Sequence, residues 1–508
     1  MISTPIDDNA ILLTGATGFV GQYLLLDLLD SGRQVVVLAR NRQAQSAALR
    51  IEYILQHWEK KSHRLFRRPR VVAADLRNDS NSISSEDSDW IGRHVGLVLH
   101  SAASVRFDAD ERSGEPTATN FEGTKRLVQF AVQHSIPHFH HISTAYTAGN
   151  RTGRVYESDL DVGQSLNNAY EESKFNAELY LHSQRKQFQS LTIHRPSIVV
   201  GDSQTGFAPS FHTVYVLLRF ARALCLERSF ENAFFDLMNL TGNERKNLVM
   251  VDWLSRQIVH VVNRPNHWGK TFHWTHPEPV CGRTLFKSIC DAVEACWSDW
   301  EDIGRWIPKL DLSSAVDTHL DIYREYFRDD PIFDRTNAES CAKEPPPAIQ
   351  ETDLSKLFSY AIKQRLQSYV FRPDPQRPAN SAPPKFEASR NSARPTSVPI
   401  DYVQIEISGE NGGQWIVDLG GRIQTESNLP IAKVHVSGWA WADMVDERNT
   451  VENLLRMSRI LICGPEYIRP QIADLIERLV RGKFAGSQPE LEINGGRVGP
   501  VAGEASHE

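Results

Sequence analysis

The sequence has few cysteines, no excess of basic charge and no long apolar run. Its 6 cysteines are scattered over 508 residues without the paired spacing of a zinc site or a disulfide framework. The formal net charge of -7 argues against a nucleic-acid-binding surface. The apolar segments are too short and too interrupted to span a bilayer, and the first residues lack the basic region of a signal peptide. We therefore expect a soluble, cytoplasmic protein without nucleic-acid partners or integral membrane segments.

A histidine cluster is the only suggestion of a metal site. His138, His140 and His141 lie close together in a predicted strand. Side chains alternate between the two faces of a strand, so His141 is expected on the face opposite the other two. Cysteine or carboxylate ligands do not follow at suitable spacing. We therefore predict no bound metal.

A glycine-rich turn follows the first apolar run of the chain. The segment Thr14–Gly21 reads TGATGFVG and follows the run Ala10–Leu13 directly. Gly15 permits a tight turn, Gly18 lets the backbone approach phosphates, and Gly21 removes a Cβ where the next helix packs on the strand. The N-terminus of that helix offers N–H donors to an anion. The pattern predicts a dinucleotide site at Gly15, Thr17, Gly18, Phe19, Val20 and Gly21.

Strand-like and helical stretches alternate up to about residue 200. The predicted strands are Ala10–Leu13, Gln34–Leu38, Arg70–Ala73, Gly96–His100, His138–Ser143 and Leu191–His194. The predicted helices between them are Val20–Leu29, Ala44–Glu59, Gly123–Gln133 and Ala169–Phe188. This alternation favours an α/β fold with a doubly wound parallel sheet, in which ligands bind beyond the carboxyl ends of the strands. Residues 201–371 are mainly helical in pattern, and we predict that they form a substrate subdomain.

The remaining sequence divides into a linker, a small module and a tail. Residues 372–399 are rich in proline, serine and alanine, which predicts a flexible linker. Residues 400–482 alternate strand-like and helical stretches and predict a small α+β module. Residues 483–508 are polar and glycine-rich, so we expect a disordered tail.

A tyrosine and a lysine four residues apart open one predicted helix. Tyr170 and Lys174 project from the same helix face, and Thr144 follows the strand His138–Ser143. An ammonium beside a phenol favours the phenolate, so we expect Lys174 to lower the pKa of Tyr170. Tyr170 and Thr144 could together hold a substrate oxygen while a hydride arrives. A pair with this spacing also occurs on ordinary exposed helices, so it gains its meaning from the glycine turn.

With these residues in place, the chain resembles the extended short-chain dehydrogenase/reductase family over most of residues 8–371. The glycine turn, His100–Ala103, Asn120–Thr124 and the pair Arg195-Pro196, expected in a turn after a strand, match the family's motifs in order. The resemblance implies that Thr144, Tyr170 and Lys174 are catalytic. It also implies cofactor contacts at Asp75, Leu76, Ala102, Ala103, Asn120, Lys174 and Pro196.

Within that family the chain is similar to thioester reductases and fatty acyl-CoA reductases. The stretch His141–Tyr146 reads HISTAY, and an acidic, tryptophan-containing segment spans Ser85–Trp90. Tyr323–Phe327 and Phe333–Asn337 are similar to the segment that closes the substrate domain in those enzymes. The resemblance implies reduction of an acyl thioester. No adenylation or carrier domain accompanies these motifs in the sequence, so the substrate stays open.

The end of the second predicted strand favours NADP(H) over NAD(H). Enzymes that use NAD usually present an acidic residue there to the ribose hydroxyls. This chain has Arg40, with Arg42 close by, and guanidinium groups suit a 2′-phosphate. The alternative is that both are ordinary solvated arginines of a loop.

We therefore predict an NADPH-dependent reductase of a fatty or other acyl thioester. One alternative is a sterol or sugar-nucleotide dehydrogenase or epimerase on the same fold, and another is a non-catalytic NADP-sensing protein. The C-terminal module weakly resembles sterol-carrier-protein domains, which would suit a lipid acyl substrate, and a small interaction domain is the alternative. An acyl carrier or a second copy of the chain is a further expected partner.

Overall fold

The computed structural model divides the chain into two units, Met1–Pro375 and Gln376–Glu508. In the first unit, the structure describes residues 9–42, 45–78, 83–211, 213–219, 235, 239–296 and 326–364. In the second unit, it describes residues 387–388, 402–407, 413–418, 422–423, 432–436, 444, 450–451, 460–463 and 469–481. The predicted tail and most of the predicted linker lie outside these residues.

The described part of the first unit is built on a parallel sheet of seven strands. The strands are rich in β-branched and other apolar residues and are covered on both faces, as parallel sheets are. Numbered along the chain, they lie in the spatial order β11 (Thr271–Trp274), β7 (Ser190–Pro196), β5 (His138–Ile142), β4 (Val95–His100), β1 (Ala10–Thr14), β2 (Val35–Ala39) and β3 (Arg70–Ala73). The predicted fold class is confirmed.

Helices cover both faces of this sheet. Along β1, Ile11 and Leu13 belong to one apolar core, whereas Ala10 and Leu12 belong to a second core on the other face. The helices up to residue 183 are α1 (Phe19–Asp30), α2 (Ala47–Ser62), α3 (Ser85–His94), α4 (Gly123–Gln133) and α5 (Ala169–Ser183). Side chains of Ser46, Ser84 and Asn168 cap the N-termini of α2, α3 and α5, which explains where these helices begin. The two cores show that the sheet is doubly wound.

The strand order reverses between β1 and β4, which places a crevice at their carboxyl ends. Thr14 at the end of β1 is in register with His100 of β4, and His100 is in register with His141 of β5. The Thr14 Oγ1 atom lies 2.7 Å from His100 Nδ1. Residues at this edge are therefore held together by both backbone and side-chain bonds.

The seventh strand corrects the predicted boundary at residue 200. Strand β11 pairs with β7, although it comes from the part of the sequence assigned to the substrate subdomain. Its four residues contain two aromatic side chains, a pattern that packing in a helical subdomain would also explain. The sheet of the cofactor-binding core therefore extends to Trp274.

The pair Arg195-Pro196 is a second correction, because both residues lie within strand β7 and not in a turn. The Arg195 guanidinium is buried and forms an ion pair with Glu178 of α5, with Nη2 and Oε2 2.7 Å apart. A buried arginine at this position needs a buried carboxylate, and the sequence alone does not show which of its carboxylates supplies it. Arg195 thus ties the sheet to the helix that carries Tyr170.

The rest of the first unit combines short strands with further helices. The helices are α6 (Val251–Val262), α7 (Gly282–Ala295), α8 (Thr336–Cys341) and α9 (Glu351–Lys363). The short strands are β6 (Arg154–Val155), β8 (Ile198–Val200), β9 (Arg245–Lys246), β10 (Leu248–Met250), β12 (Val280–Cys281) and β13 (Ile332–Phe333). A π-helical turn spans Ala118–Glu122, and 3-10 helices span Ala145–Ala148, Arg185–Gln187, Thr213–Arg219 and Pro265–His267. Helices α6 and α1 pack together, and so do α7 and α9.

The second unit has the predicted α+β composition in its described residues. Helix α10 (Arg469–Arg481) follows a sheet in the spatial order β14 (Glu387–Ala388), β17 (Arg422–Ile423), β16 (Gly413–Asp418), β15 (Tyr402–Ile407), β18 (Ala432–Val436) and β19 (Ile460–Cys463). Its own core includes Val403, Val434, Ile472 and Leu475. Strand β14 falls inside the predicted linker and pairs with β17, so the linker does not run unbroken through residues 372–399.

Among the helices that the structure describes, each is too short or too polar to cross a bilayer.

Candidate active site at the carboxyl edge of the sheet

The glycine turn between β1 and α1 has the form expected of a dinucleotide cradle. Gly15 has φ +77°, a left-handed conformation that glycine adopts without strain. A Cβ on Gly15 would meet Ala102 N at 2.5 Å, and a Cβ on Gly21 would run into the Gly15 carbonyl. Gly18 begins α1 without a side-chain cap, so N–H donors at the helix N-terminus are left for an anion. These residues fit the pyrophosphate of a dinucleotide.

Three arginines lie beside this turn. Arg40 follows β2 and is exposed, as is Arg42. Arg50, in the first turns of α2, donates from Nη1 to the Arg40 carbonyl (2.7 Å) and from Nη2 to Thr17 Oγ1 (3.1 Å). Burial lowers the pKa of Arg50, and the charges of Arg40 and Arg42 lower it further. Mutual repulsion of this kind makes an anion favourable at this place.

Arg50 was not predicted from the sequence. Its position gave a hint, because the helix dipole disfavours a cation near a helix N-terminus. An arginine there is therefore expected to make another favourable contact. The structure shows two such contacts, with Arg40 and Thr17.

Thr144 and Tyr170 come together as predicted. Thr144 lies two residues after the end of β5. It caps the 3-10 helix Ala145–Ala148, because its side chain accepts a hydrogen bond from Tyr146 N. Tyr170 is the second residue of α5 and is hydrogen-bonded to the Thr144 side chain. Burial raises the pKa of Tyr170 to about 12, and the bond to Thr144 opposes part of that rise. The phenol is therefore protonated at neutral pH and can donate a proton.

Lys174 is buried on the same helix, but it does not act on Tyr170 as expected. Its Nζ donates to the Ile142 carbonyl (2.6 Å) and lies 3.2 Å from His141 Nε2. The pKa of Tyr170 is set by burial, Thr144 and Glu171, so the expected lowering by Lys174 is wrong for this structure. The physical reason is that the ammonium is bound to β5. Burial lowers the pKa of Lys174 to about 8.

Histidines form a buried row next to Lys174. The rings of His100 and His141 lie 5.2 Å apart, and His100 Nε2 is 2.9 Å from Thr124 Oγ1. His140 contacts His194 instead, with Nδ1 and Nε2 3.1 Å apart, so His140 and His141 face opposite sides of the sheet as predicted. The described residues contain no group of three His, Cys, Asp or Glu side chains arranged for a metal.

Asn120 ties the loop after β4 to the helix of Tyr170. Its Nδ2 donates to the Ser104 carbonyl (2.8 Å) and lies 2.9 Å from Ser173 Oγ, while its Oδ1 accepts from Ser104 N (2.7 Å). Ala102 N donates to Thr14 Oγ1 (3.1 Å), which holds that loop, with Ala103 exposed, against the glycine turn. Asn120 is therefore buried among protein groups, and a cofactor contact there stays a prediction.

Three further residues that were predicted to contact the cofactor, Asp75, Leu76 and Pro196, lie at or just beyond the ends of strands β3 and β7. Asp75 follows β3 and forms an ion pair with Arg77 (2.7 Å), which lowers the pKa of that carboxyl. Leu76 packs against one apolar core, and Pro196 is the last residue of β7. Strand ends are where ligands of such sheets bind, so all three keep their predicted roles as proposals.

Aromatic side chains flank Tyr170, and the sequence pattern did not assign them to the site. The Phe107 ring lies 6.0 Å from Tyr170 and 4.7 Å from Tyr326, measured between centroids. Tyr146 lies 4.7 Å from Tyr326 and donates from its hydroxyl to Asp330 (2.8 Å). Tyr326 belongs to the segment that resembles the substrate-domain closure. These rings make an apolar wall next to the proton donor.

Residues 13–258 match the family model described as "Male sterility protein", an NAD-binding family. Fatty acyl-CoA reductase 2 of Bos taurus is 33% identical over 159 residues, which cover 30% of both chains. The crystal structure of the terminal R domain of the myxalamid PKS-NRPS pathway superposes with a TM-score of 0.56 and 21% identity, over 72% of this chain and 93% of that one.

A thiolation-reductase di-domain from an archaeal non-ribosomal peptide synthetase gives a TM-score of 0.50 and 18% identity. That match covers 71% of this chain and 77% of the di-domain. The curated relatives are longer than the segments they share with this chain. The match covers 28% of a fungal peptide synthetase and 30% of the bovine reductase.

The glycine cradle, the Thr144–Tyr170 pair and the family match agree over the same part of the chain. Residues 13–258 are similar to the NAD-binding family described as "Male sterility protein", and a stretch of 159 residues of the chain is similar to a fatty acyl-CoA reductase.

Proposed function

We propose that this protein is an NADPH-dependent reductase of acyl thioesters. The observation that carries the proposal is a protonated Tyr170 bonded to Thr144 beside an aromatic wall, at the sheet edge that also holds the glycine turn. A proton donor at such a place serves reduction of a carbonyl, and the aromatic rings suit an apolar acyl group.

The choice of NADPH rests on the three arginines. Arg40, Arg42 and Arg50 lie within electrostatic reach of each other. A dianionic 2′-phosphate would relieve their repulsion and could accept hydrogen bonds from several guanidinium groups. The 2′-hydroxyl of NADH would offer neither benefit.

The proposed chemistry divides the work between cofactor and protein. The bound nicotinamide supplies a hydride to the thioester carbonyl carbon. Thr144 and Tyr170 bind the carbonyl oxygen, and Tyr170 transfers its proton to that oxygen as negative charge develops there. A hemithioacetal results, and the Tyr170 phenolate takes back the hydroxyl proton as the carbon–sulfur bond breaks.

The products are an aldehyde and a thiolate, which takes a proton from solvent. One thioester therefore consumes one NADPH and one proton. A second NADPH and a second proton would reduce the aldehyde to an alcohol at the same residues. Lys174 is proposed to hold the nicotinamide ribose through its ammonium.

The acyl group is proposed to arrive on coenzyme A or on a carrier protein. Two neighbours support this range, namely a fatty acyl-CoA reductase and a reductase domain joined to a thiolation domain. The second unit, which has its own core, is proposed to bind lipid or a partner protein.

A substrate screen tests the proposal. NADPH consumption is followed with acyl-CoA thioesters of increasing chain length, with free thiol assayed and products identified by mass spectrometry. We expect thiol release in proportion to NADPH consumed and a preference for apolar acyl groups. NADPH binding without turnover across the acyl panel would contradict the proposal and favour a sensing protein.

A further inference from the structure

The Lys174 ammonium is buried and must find its hydrogen-bond partners within the protein. Lys174 is 1% exposed, so water cannot satisfy its three donors. Its hydrogen-bond partners in the described residues are the Ile142 carbonyl at 2.6 Å and the His141 Nε2 atom at 3.2 Å. A buried charge keeps its proton only when hydrogen bonds or opposite charges stabilise it.

The geometry fixes the protonation state of His141. An ammonium donates, so the Nε2 atom of His141 must accept and the ring proton must sit on Nδ1. Burial and the charge of Lys174 lower the pKa of His141 well below its usual range, which keeps the imidazole neutral. The Nδ1 atom has no partner in the described structure. The histidine thus gains its one side-chain hydrogen bond in the described residues from Lys174.

We propose that His141 is a positioning residue for Lys174. It accepts a hydrogen bond from the ammonium, holds it at the carboxyl end of β5, and keeps it charged for the cofactor ribose. This inference rests on the proposed role of Lys174 in the site. It goes beyond the Thr144, Tyr170 and Lys174 set, because His141 acts only through the lysine.

Other ionisable groups face this pair from each neighbouring element. They are His100 on β4, His194 on β7, Tyr170 and Glu178 on α5, and Glu171 beside Tyr170. Burial lowers the pKa values of His100 and His194 to about 3, so both stay neutral over the working range. Glu178 is held by Arg195. Glu171 titrates near pH 7, but it is bound to Asn167 and not to His141.

Substitution of His141 tests the inference, with His140 as a matched control. Both histidines are fully buried on β5, and each has one ring nitrogen without a partner among the described residues. His141→Leu removes the acceptor from Lys174, whereas His140→Leu removes an equal side chain from the opposite face. His141→Gln restores an acceptor near the former Nε2 position.

The readout is the dissociation constant of NADPH, measured by cofactor fluorescence with the full chain at pH values on both sides of 8. The affinity of the parent should fall above about pH 8, where Lys174 loses its proton. In His141→Leu this transition should move down by about one pH unit, because the charged form has lost a hydrogen bond; the affinity should then weaken about twofold at pH 7 and up to about tenfold above pH 8. His141→Gln should recover most of both effects, and His140→Leu should match the parent.

An unshifted transition in a folded His141→Leu variant, or an equal shift in His140→Leu, would overturn the inference. If His141→Leu does not fold, His141→Asn serves in its place, because its amide is too short to reach Lys174. The proposed function fails separately. A parent that binds NADPH with the expected pH dependence but releases no thiol from acyl-CoA would refute thioester reduction and leave the role of His141 intact.

Discussion

At the scale of single residues, the site depends on a tyrosine that keeps its proton. Burial raises the Tyr170 pKa to about 12, and Thr144 is bonded to the same hydroxyl. This arrangement suits a general acid, because the proton is present at neutral pH and leaves only when negative charge develops on a bound oxygen.

Replacement of Tyr170 by phenylalanine tests that role. Tyr170→Phe should lower kcat by roughly 100-fold to 10,000-fold, as expected for loss of a positioned proton donor. The NADPH dissociation constant should stay close to that of the parent, because the ring and its contact with Phe107 are kept. Stopped-flow measurement of hydride transfer and a fluorescence titration separate the two effects. A variant with parental kcat would exclude Tyr170 as the proton donor.

The pH dependence of activity should follow the protonation state of Lys174. Its pKa in the folded protein is lowered to about 8, below the usual value of 10.5, so its ammonium is present below about pH 8 and lost above it. We therefore expect kcat/KM to be level on the acid side of that value and to fall as pH rises through it. A profile that stays level to pH values well above 8 would show that the charged form is not required.

At the scale of secondary-structure elements, cofactor choice depends on contacts between α2 and the glycine turn. Arg50 contacts both the Thr17 side chain and the Arg40 carbonyl, which places its guanidinium beside the expected 2′-phosphate site. Arg50→Ala should weaken NADPH binding about tenfold, since one charge-assisted contact is lost, and should leave NADH binding nearly unchanged. The measurement is a pair of titrations with the two cofactors.

Arg93→Ala is a suitable control, because that arginine is exposed on α3 and bonds only to the Asp89 carbonyl among the contacts observed for it. The control should change neither affinity. Equal loss of NADH and NADPH binding in Arg50→Ala would mean that Arg50 supports the turn and does not select the phosphate.

Most of the secondary structure around the sheet could be predicted from the sequence. Hydrophobic periodicity and composition were sufficient to predict strands β1 to β5 and β7 and helices α1, α2, α4 and α5. Strand β11 was missed because its burial comes from pairing with β7, which no local pattern reveals. The turn predicted at Arg195-Pro196 failed for a similar reason, since the partner Glu178 lies on another element.

The sequence predicted a candidate site from the glycine turn and from Thr144, Tyr170 and Lys174, and the structure places Thr144 next to Tyr170. Arg50, His141 and Tyr326 were not assigned to it, because each gains its place from a contact made across the fold. Tertiary contacts also remove the expected effect of Lys174 on the pKa of Tyr170. The ammonium had a carbonyl acceptor on β5 that helical spacing could not show.

At the scale of the whole molecule, the chain has two units with separate described cores. We expect two thermal transitions in the full chain. NADPH at 100 times its dissociation constant should stabilise the first unit by about 2.7 kcal/mol and raise one transition only. Differential scanning calorimetry with and without NADPH measures this. A single transition that moves as one would show that the units unfold together.

The central claim is that hydride reaches the carbonyl carbon of an acyl thioester. The most direct test uses NADPH carrying deuterium at the transferable position, an acyl-CoA and the full chain, with mass spectrometry of the product and a thiol assay. We expect one deuterium on the former carbonyl carbon and one thiol for each NADPH oxidised when the product is the aldehyde. When the product is the alcohol, we expect two deuterium atoms on that carbon and one thiol for every two NADPH oxidised. A product without deuterium, or NADPH oxidation without thiol release, would contradict the account.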